Sequence, residues 1–223
     1  MPRYHTLGQI PNKRHITFEK PGGGLYQEEL FGTAGFAGMS SLIYHLYPPT
    51  VVSEVKRLAD VTPEIAIEKN MQALSFQGFS LTPESDYIQS RKTLFVNNDL
   101  HIGLAAPTNF SPDYFYRNSD ADEMLFVHAG SGTMKTMYGN LKFGYGDYLI
   151  IPRGTTYQID FDMEDNRLLY IESFSEITTP RRYRNDYGQF LEHSPFCERD
   201  FRLPTDLETH DDKGSFKVIS KKQ

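Results

Sequence analysis

The sequence predicts a mainly β protein, built as an antiparallel barrel or sandwich. Through residues 116–161, short apolar segments alternate with turns that contain Gly, Pro and Asn, a pattern typical of short strands folded back on one another. The chain has 16 Phe and 14 Tyr but no Trp. This composition indicates a core filled by aromatic rings, with several tyrosine hydroxyls bonded to polar partners.

The predicted strands of this stretch follow an acidic turn at residues 118–123. A hairpin is predicted across Gly139-Asn140, because a short Gly-containing dipeptide between two strand candidates is a hairpin signal. Turns with Gly and Pro separate the later strands. The strand candidates are residues 124–127, 133–138, 141–143, 148–151 and 157–161.

The chain before this stretch predicts an arm and accessory strands. Residues 1–20 are polar and basic and lack periodicity, which predicts an extended, irregular arm. Strands are predicted at 25–30 and 40–46. The Gly-rich segment 31–38 separates them, and its small residues allow another backbone or a partner to approach closely.

Helical patterns are few. Residues 52–74 are the main candidate, because Ser53 suits an N-cap position and Pro63 suits the first position of a helical segment. The apolar residues of this segment are nevertheless spaced irregularly. A second, short helix is predicted at residues 189–193.

Further strands are predicted on either side of the central stretch. Residues 93–96 and 100–105 flank a turn at Asn97-Asn98-Asp99, and residues 167–174 form a strong strand pattern. His101 alternates with apolar neighbours. A single strand histidine is more often a core or interface residue than a functional one, and the sequence leaves both interpretations open.

Charge and composition limit the possible partners. The net charge of −6 argues against a nucleic-acid partner, because phosphate binding needs a basic face. Two small basic clusters are interpreted as solvated loops or interface contacts, with anion binding as the alternative. They are Lys13-Arg14-His15 and Arg181-Arg182-Tyr183-Arg184.

Cysteine usage and hydropathy predict a cytoplasmic protein. The single cysteine, Cys197, excludes an internal disulfide and fits a reducing compartment; we do not expect it to be a nucleophile. No segment approaches the roughly 18 consecutive apolar residues of a membrane-spanning helix. No signal peptide is predicted either, because no apolar run follows the basic residues near the N-terminus.

Two motifs in the central stretch resemble the signature of the cupin barrel. The first motif ends in Glu, six residues and Gly, here Glu123 to Gly130; the second is Gly, five residues and Pro-x-Gly, here Gly146 to Pro152-Arg153-Gly154. The resemblance implies a cupin-like antiparallel β-barrel, also called a double-stranded β-helix.

The imidazoles of metal-binding cupins are absent from these motifs. Their places hold Arg117 and Ser119, or Tyr116 and Asn118, and then Tyr157. Only Glu123 remains of the four ligands, and each lost ligand removes a bond that water must replace. We therefore expect no metal here. Glu123 is expected to be a loop carboxylate that accepts backbone N–H groups. Tyr157 is expected to lie close to it, and the two residues would be the vestiges of the metal site.

No other histidine completes this site in the sequence. The seven histidines are His5, His15, His45, His101, His128, His193 and His210. They are scattered, and His128, the closest in sequence to Glu123, is an odd number of residues away. On a regular strand it would point to the opposite face.

Several stretches, in order, resemble one family within the cupins, homogentisate 1,2-dioxygenase. They are Tyr4-His5-Thr6-Leu7-Gly8-Gln9-Ile10-Pro11 with Lys13-Arg14-His15; Leu25-Tyr26 with Glu28-Glu29-Leu30-Phe31-Gly32-Thr33 and Gly35-Phe36; Asn97-Asn98-Asp99 with His101-Ile102-Gly103; Asp122-Glu123 with Leu125-Phe126-Val127-His128 and Gly130-Ser131-Gly132; Gly146-Asp147-Tyr148 with Ile151-Pro152-Arg153-Gly154-Thr155-Thr156-Tyr157; and Leu191-Glu192-His193-Ser194-Pro195-Phe196.

The resemblance implies a non-haem Fe(II) enzyme that opens the ring of homogentisate with O₂ in tyrosine and phenylalanine catabolism, and a homo-oligomer. The family's two His and one Glu iron ligands lie in a second barrel of a longer chain, and nothing after Phe201 matches them. We therefore expect this chain to be the N-terminal portion, truncated or separately encoded, without catalytic residues, without iron and inactive alone. The alternative is a stand-alone, metal-free cupin that binds a small molecule or a protein partner.

On this basis the chain divides into three predicted parts. Residues 1–92 form the arm and the accessory strands that pack on the barrel. Residues 93–179 form a degenerate cupin barrel. Residues 180–223 form a C-terminal extension that would lead into the second barrel.

Overall fold

The computed structural model describes residues 18–49, 51–67, 70, 72–108 and 111–222. Of the predicted arm, residues 1–20, only residues 18–20 are described. The cluster Lys13-Arg14-His15 lies outside the described residues. The strands, in chain order, are β1 (Gln27–Ala34), β2 (Ala37–His45), β3 (Arg91–Val96), β4 (Leu100–Ala105), β5 (Phe115–Asn118), β6 (Asp122–Ala129), β7 (Gly132–Thr136), β8 (Gly139–Phe143), β9 (Tyr148–Ile151), β10 (Thr156–Phe161), β11 (Arg167–Ser173) and β12 (Val218–Lys221).

The chain forms two compact units. The larger unit contains the described residues of Val61–Glu208 and Ser215–Gln223, and the smaller one contains those of His5–Asp60 and Thr209–Gly214. In the smaller unit, β1 and β2 form an antiparallel hairpin that turns at Gly35 and Phe36. The prediction that residues 31–38 separate two strands is therefore wrong, because all but the two turn residues belong to the strands.

Two five-stranded sheets build the larger unit. Their strand orders are β12-β5-β10-β7-β8 and β3-β4-β11-β6-β9. From β4 to β11 the chain alternates between the sheets except at the β7–β8 hairpin, which is the connectivity of a jelly roll, the architecture of cupins. All neighbours are antiparallel except β12, which runs parallel to β5. The predicted mainly β, cupin-like fold is confirmed, as two packed sheets.

The space between the two sheets holds an aromatic core. Buried and less buried residues alternate along β10 and β11, as the two-residue period of a strand requires. Leu125, Val127 and Tyr170 are fully buried. The rings of Tyr116 and Tyr157 meet edge to face at 5.5 Å between centroids. The aromatic core expected from the composition is therefore present.

One glycine allows a close approach that matters for the interior. A Cβ at Gly103 in β4 would lie 2.3 Å from the backbone oxygen of Lys92 and 2.5 Å from the Tyr170 ring. Only glycine leaves room for both neighbours. The Tyr170 hydroxyl consequently reaches Thr93 Oγ1 at 2.6 Å, which fixes the ring under β3.

Both predicted helices are wrong. The described residues of 52–74 are irregular, and Val52, Val55 and Leu58 are exposed. Their irregular spacing gives a helix no apolar face to bury, and a short helix without such packing is marginal in water. At residues 189–193, the Asn185 side chain instead accepts the backbone N–H groups of Tyr187 and Gln189, so a local turn replaces the helix.

The predicted central hairpin is confirmed, but its turn is shifted by two residues. Thr136 pairs with Gly139, so Met137 and Tyr138 form the turn instead of Gly139-Asn140. Gly139 is needed where the second strand begins, because its φ is +117° and a Cβ would lie 2.4 Å from the backbone oxygen of Asp206. The turn at Asn97-Asn98-Asp99 is confirmed, with Asn97 Oδ1 accepting two backbone N–H groups.

The described helices are three short 3₁₀ turns, Gly78–Ser80, Arg181–Tyr183 and Glu198–Asp200. Within the described residues, no helix has the length and hydrophobicity needed to span a membrane.

Candidate functional site

Glu123 and Tyr157, the two predicted vestigial positions, meet in the interior of the jelly roll. Glu123 lies on β6 and is 1% exposed, and Tyr157 lies on β10 of the opposite sheet. The Tyr157 hydroxyl donates to Glu123 Oε2 at 2.8 Å. Their predicted proximity is confirmed. The prediction that Glu123 is a loop carboxylate bonded to backbone N–H groups is wrong, because its strand directs it inward to side-chain partners.

Arg91, which belongs to none of the sequence motifs, is the second component of this interior. It begins β3, and its Nη1 lies 3.3 Å from Glu123 Oε1 while its Nη2 lies 2.7 Å from Glu172 Oε1. The guanidinium carbon is 4.1 Å from the centroid of the Tyr170 ring, a cation–π geometry. Arg91 therefore joins two carboxylates and is held in place by an aromatic ring.

Glu172 accepts contacts from three side chains in this interior. It lies on β11 directly across from Glu123 in the sheet register. Besides Arg91, it accepts a hydrogen bond from Asn118 Nδ2 at 2.8 Å and one from Lys221 Nζ at 2.6 Å. Each of its oxygens thus has a charged donor, as a buried carboxylate needs.

Lys221 reaches this interior from β12. Residues 180–223 are predicted to form a C-terminal extension; within them, Val218–Lys221 pairs with β5 and the Lys221 side chain is 9% exposed. A lysine this buried is uncommon unless it is paired. The strand therefore brings an ammonium group to the carboxylate of Glu172.

Together Arg91, Glu123, Glu172 and Lys221 form what we call the buried ion cluster. It contains two carboxylates and two permanent cations, so its charges balance when all four groups are ionised. It joins β3, β6, β11 and β12 and so links the two sheets. Paired and hydrogen-bonded in this way, the groups can remain charged away from water.

The two carboxyl groups have opposite pKa shifts. Burial and the neighbouring Glu172 outweigh the attraction of Arg91 and raise the pKa of Glu123. Burial also acts to raise the pKa of Glu172, but Arg91 and Lys221 outweigh it and lower this pKa from 4.5 to about 2. The cluster therefore depends more on the charge of Glu172 than on that of Glu123.

This asymmetry predicts different effects of the two neutral substitutions. Glu172→Gln is expected to cost about 3–5 kcal/mol of unfolding free energy, because it leaves the buried ammonium of Lys221 without its carboxylate and Arg91 with Glu123 alone. Glu123→Gln is expected to cost about 1 kcal/mol, because an amide oxygen can still accept the Tyr157 hydroxyl. Urea unfolding at neutral pH measures both values, and equal losses would contradict the assignment.

The pH dependence of the unfolding free energy distinguishes Glu172 from Glu123 further. With its lowered pKa, Glu172 contributes stability that is present above pH 4.5 and is lost as the pH falls towards 2. With its raised pKa, Glu123 makes stability decline as the pH rises above 4.5. Glu172→Gln should flatten the acid side of the stability profile, and Glu123→Gln should flatten the decline above 4.5.

The interior does not fit the iron that the family resemblance implies. A non-haem Fe(II) oxygenase site needs two imidazoles and one carboxylate with open positions, and the partners of Glu123 here are a phenol and a guanidinium. A divalent cation would add two positive charges to a cluster whose two carboxyl groups are already matched by two cations. Among the described residues, no group of three His, Cys, Asp or Glu side chains is arranged to hold a metal ion.

The other residues singled out by the sequence lie apart from Glu123. His128 is exposed and packs on Phe79 with ring centroids 4.6 Å apart, so its predicted position on the opposite face of β6 is confirmed. Cys197 is buried, and its backbone N–H donates to Asp200. Arg181 and Arg182 are exposed on a 3₁₀ turn. His101, by contrast, contacts the ion cluster through Glu172.

Comparison of the chain with known proteins identifies its family. A family model described as homogentisate 1,2-dioxygenase N-terminal matches residues 6–223. A curated protein of Saccharolobus solfataricus, named "Putative dioxygenase", is 38% identical over 218 residues, which are 98% of this chain and 56% of the relative. The chain therefore spans about half the length of this relative.

Solved structures similar to the chain include two cupin domains. One is a cupin-2 domain protein of Shewanella frigidimarina, with a TM-score of 0.36 and 21% identity over 43% of this chain and 87% of that one. The other is the cupin domain of Schizosaccharomyces pombe Cnp3, with a TM-score of 0.38 and 18% identity over 46% of this chain and 70% of that one.

Proposed function

The chain belongs to the homogentisate 1,2-dioxygenase N-terminal family, and on that premise we propose that it is the non-catalytic jelly roll of a dioxygenase. The reaction we propose for the complete enzyme is the Fe(II)-dependent, O₂-dependent ring opening of homogentisate in tyrosine and phenylalanine catabolism. The iron ligands would come from polypeptide outside these 223 residues. The jelly roll described here would be inactive alone.

The buried ion cluster is the observation that supports this proposal. Ring opening by both atoms of O₂ needs an iron with open positions for substrate and oxygen. In this jelly roll, the carboxylate at the cupin ligand position is bonded to Arg91 and Tyr157. Those partners supply positive charge and a proton donor, and neither is a ligand for Fe(II).

The same contacts suggest a structural role. The cluster ties strands of both sheets together, and Tyr157 adds a hydrogen bond between the sheets. A buried network of charged hydrogen bonds makes a fold rigid. We propose that the jelly roll is a rigid support on which the catalytic part of the dioxygenase assembles, in a cytoplasmic homo-oligomer.

An oxygen electrode tests the proposal. The chain alone, supplied with homogentisate and ferrous iron, is expected to consume O₂ no faster than an iron-only blank. Addition of the remaining half of a longer relative, such as the Saccharolobus solfataricus protein, is expected to produce turnover if the two halves assemble. Turnover by the chain alone that Glu123→Gln abolishes would refute the proposal.

A further inference from the structure

A groove of about 460 Å³ lies beside the turn between β3 and β4. This volume is within the roughly 300–1,000 Å³ of small-molecule sites. Four of its eight lining side chains are apolar, and the other four are one threonine, two asparagines and one histidine. The lining residues are Thr62, Pro63, Ile65, Val96, Asn97, Asn98, His101 and Phe174.

His101 is the one ionisable side chain among the lining residues of this groove. Its side chain is 7% exposed, and its Nδ1 lies 3.4 Å from Glu172 Oε2. Its ring meets Phe174 at 90° with centroids 5.0 Å apart. These contacts fix the ring plane. Within the described chain, the other ring nitrogen, Nε2, has no hydrogen-bond partner.

The surroundings determine which form of the imidazole faces the groove. Burial and the nearby Lys221 ammonium outweigh Glu172 and lower the pKa of His101 below 6.5. The ring is therefore neutral at pH 7. With the proton on Nδ1, directed at the carboxylate of Glu172, Nε2 carries a lone pair and is a hydrogen-bond acceptor.

We propose that this groove binds a small, uncharged molecule with an apolar ring and a hydroxyl group, and that the hydroxyl donates to His101 Nε2. Pro63, Val96 and Phe174 provide apolar contacts for the ring. A neutral ligand suits the site because the carboxylate behind His101 is already compensated by Arg91 and Lys221. The site goes beyond the proposed structural role and needs no iron.

Phenol and anisole are matched probes for this site. They share the ring and differ in the hydroxyl hydrogen, which anisole replaces by a methyl group. Titration of the ¹⁵N-labelled protein is expected to give binding of phenol about fivefold tighter than binding of anisole, the worth of one hydrogen bond. The largest shifts are expected at the His101 ring and at the amides of Asn98 and Phe174.

Two variants assign the preference to His101. His101→Phe keeps an aromatic ring against Phe174 and is expected to bind phenol and anisole equally. His128→Phe replaces an exposed histidine of β6 and is expected to keep the fivefold preference. Equal affinities in the unchanged protein, shifts confined to residues outside the groove, or no binding of either probe would overturn the proposal, even if His101→Phe does not fold.

Discussion

Replacing Arg91 by methionine is expected to lower the free energy of unfolding by about 3–5 kcal/mol. The two buried carboxylates, Glu123 and Glu172, would lose the cation that contacts both of them. Methionine can keep the apolar packing against Tyr170, so the lost charge is the main effect. At roughly 2–4 °C per kcal/mol for a chain of this size, the melting temperature should fall by roughly 6–20 °C.

Lys92→Met is the matched control. Lys92 is the next residue of β3 and carries the same charge, but its ion pair with Glu84 is half exposed. Exposed pairs of this kind contribute at most about 1 kcal/mol. Thermal unfolding of both variants measures the difference. Equal shifts in melting temperature would show that the interior position of Arg91 has no special importance.

Much of the jelly roll could be predicted from the sequence because its strands are short, apolar and bounded by turn residues. The turn at Asn97-Asn98-Asp99 was placed correctly, since Asn97 caps it locally. The helix predicted at residues 52–74 is wrong, because the segment has residues that suit the start of a helix but no apolar face to bury. Local signals therefore worked where the contacts were local.

The candidate site was predictable only where a motif spans it. The cupin spacing brought Glu123 and Tyr157 together correctly. Glu172 had a detectable signal, since it shares the inward two-residue period of Leu168 and Tyr170 on β11. Because Glu172 continues the buried positions of this strand, the pattern indicates that its carboxylate points into the interior.

Arg91 and Lys221 could not be found in this way. Arg91 stands beside Lys92 and Lys221 beside Lys222. Which of two adjacent cations points inward depends on where the strand begins and how it pairs. Lys221 also depends on a parallel pairing with β5 over about a hundred residues of sequence. Such long-range contacts leave no trace in local composition.

The central claim is that Arg91 and Lys221, instead of a metal ion, neutralise the carboxylates inside this jelly roll. A bound divalent ion would need Glu123 to give up its contacts with Arg91 and Tyr157, and the charge balance of the cluster opposes this. The chain should therefore retain no stoichiometric iron, even when ferrous iron is supplied without oxygen.

The iron content of the purified chain tests this claim most directly. The protein and its Glu123→Gln variant are incubated anaerobically with ferrous iron, desalted and analysed for metal by mass spectrometry. We predict substoichiometric iron, equal in the two proteins, because any residual metal is bound at surface carboxylates. One iron atom per chain, lost on substitution of Glu123, would contradict the account.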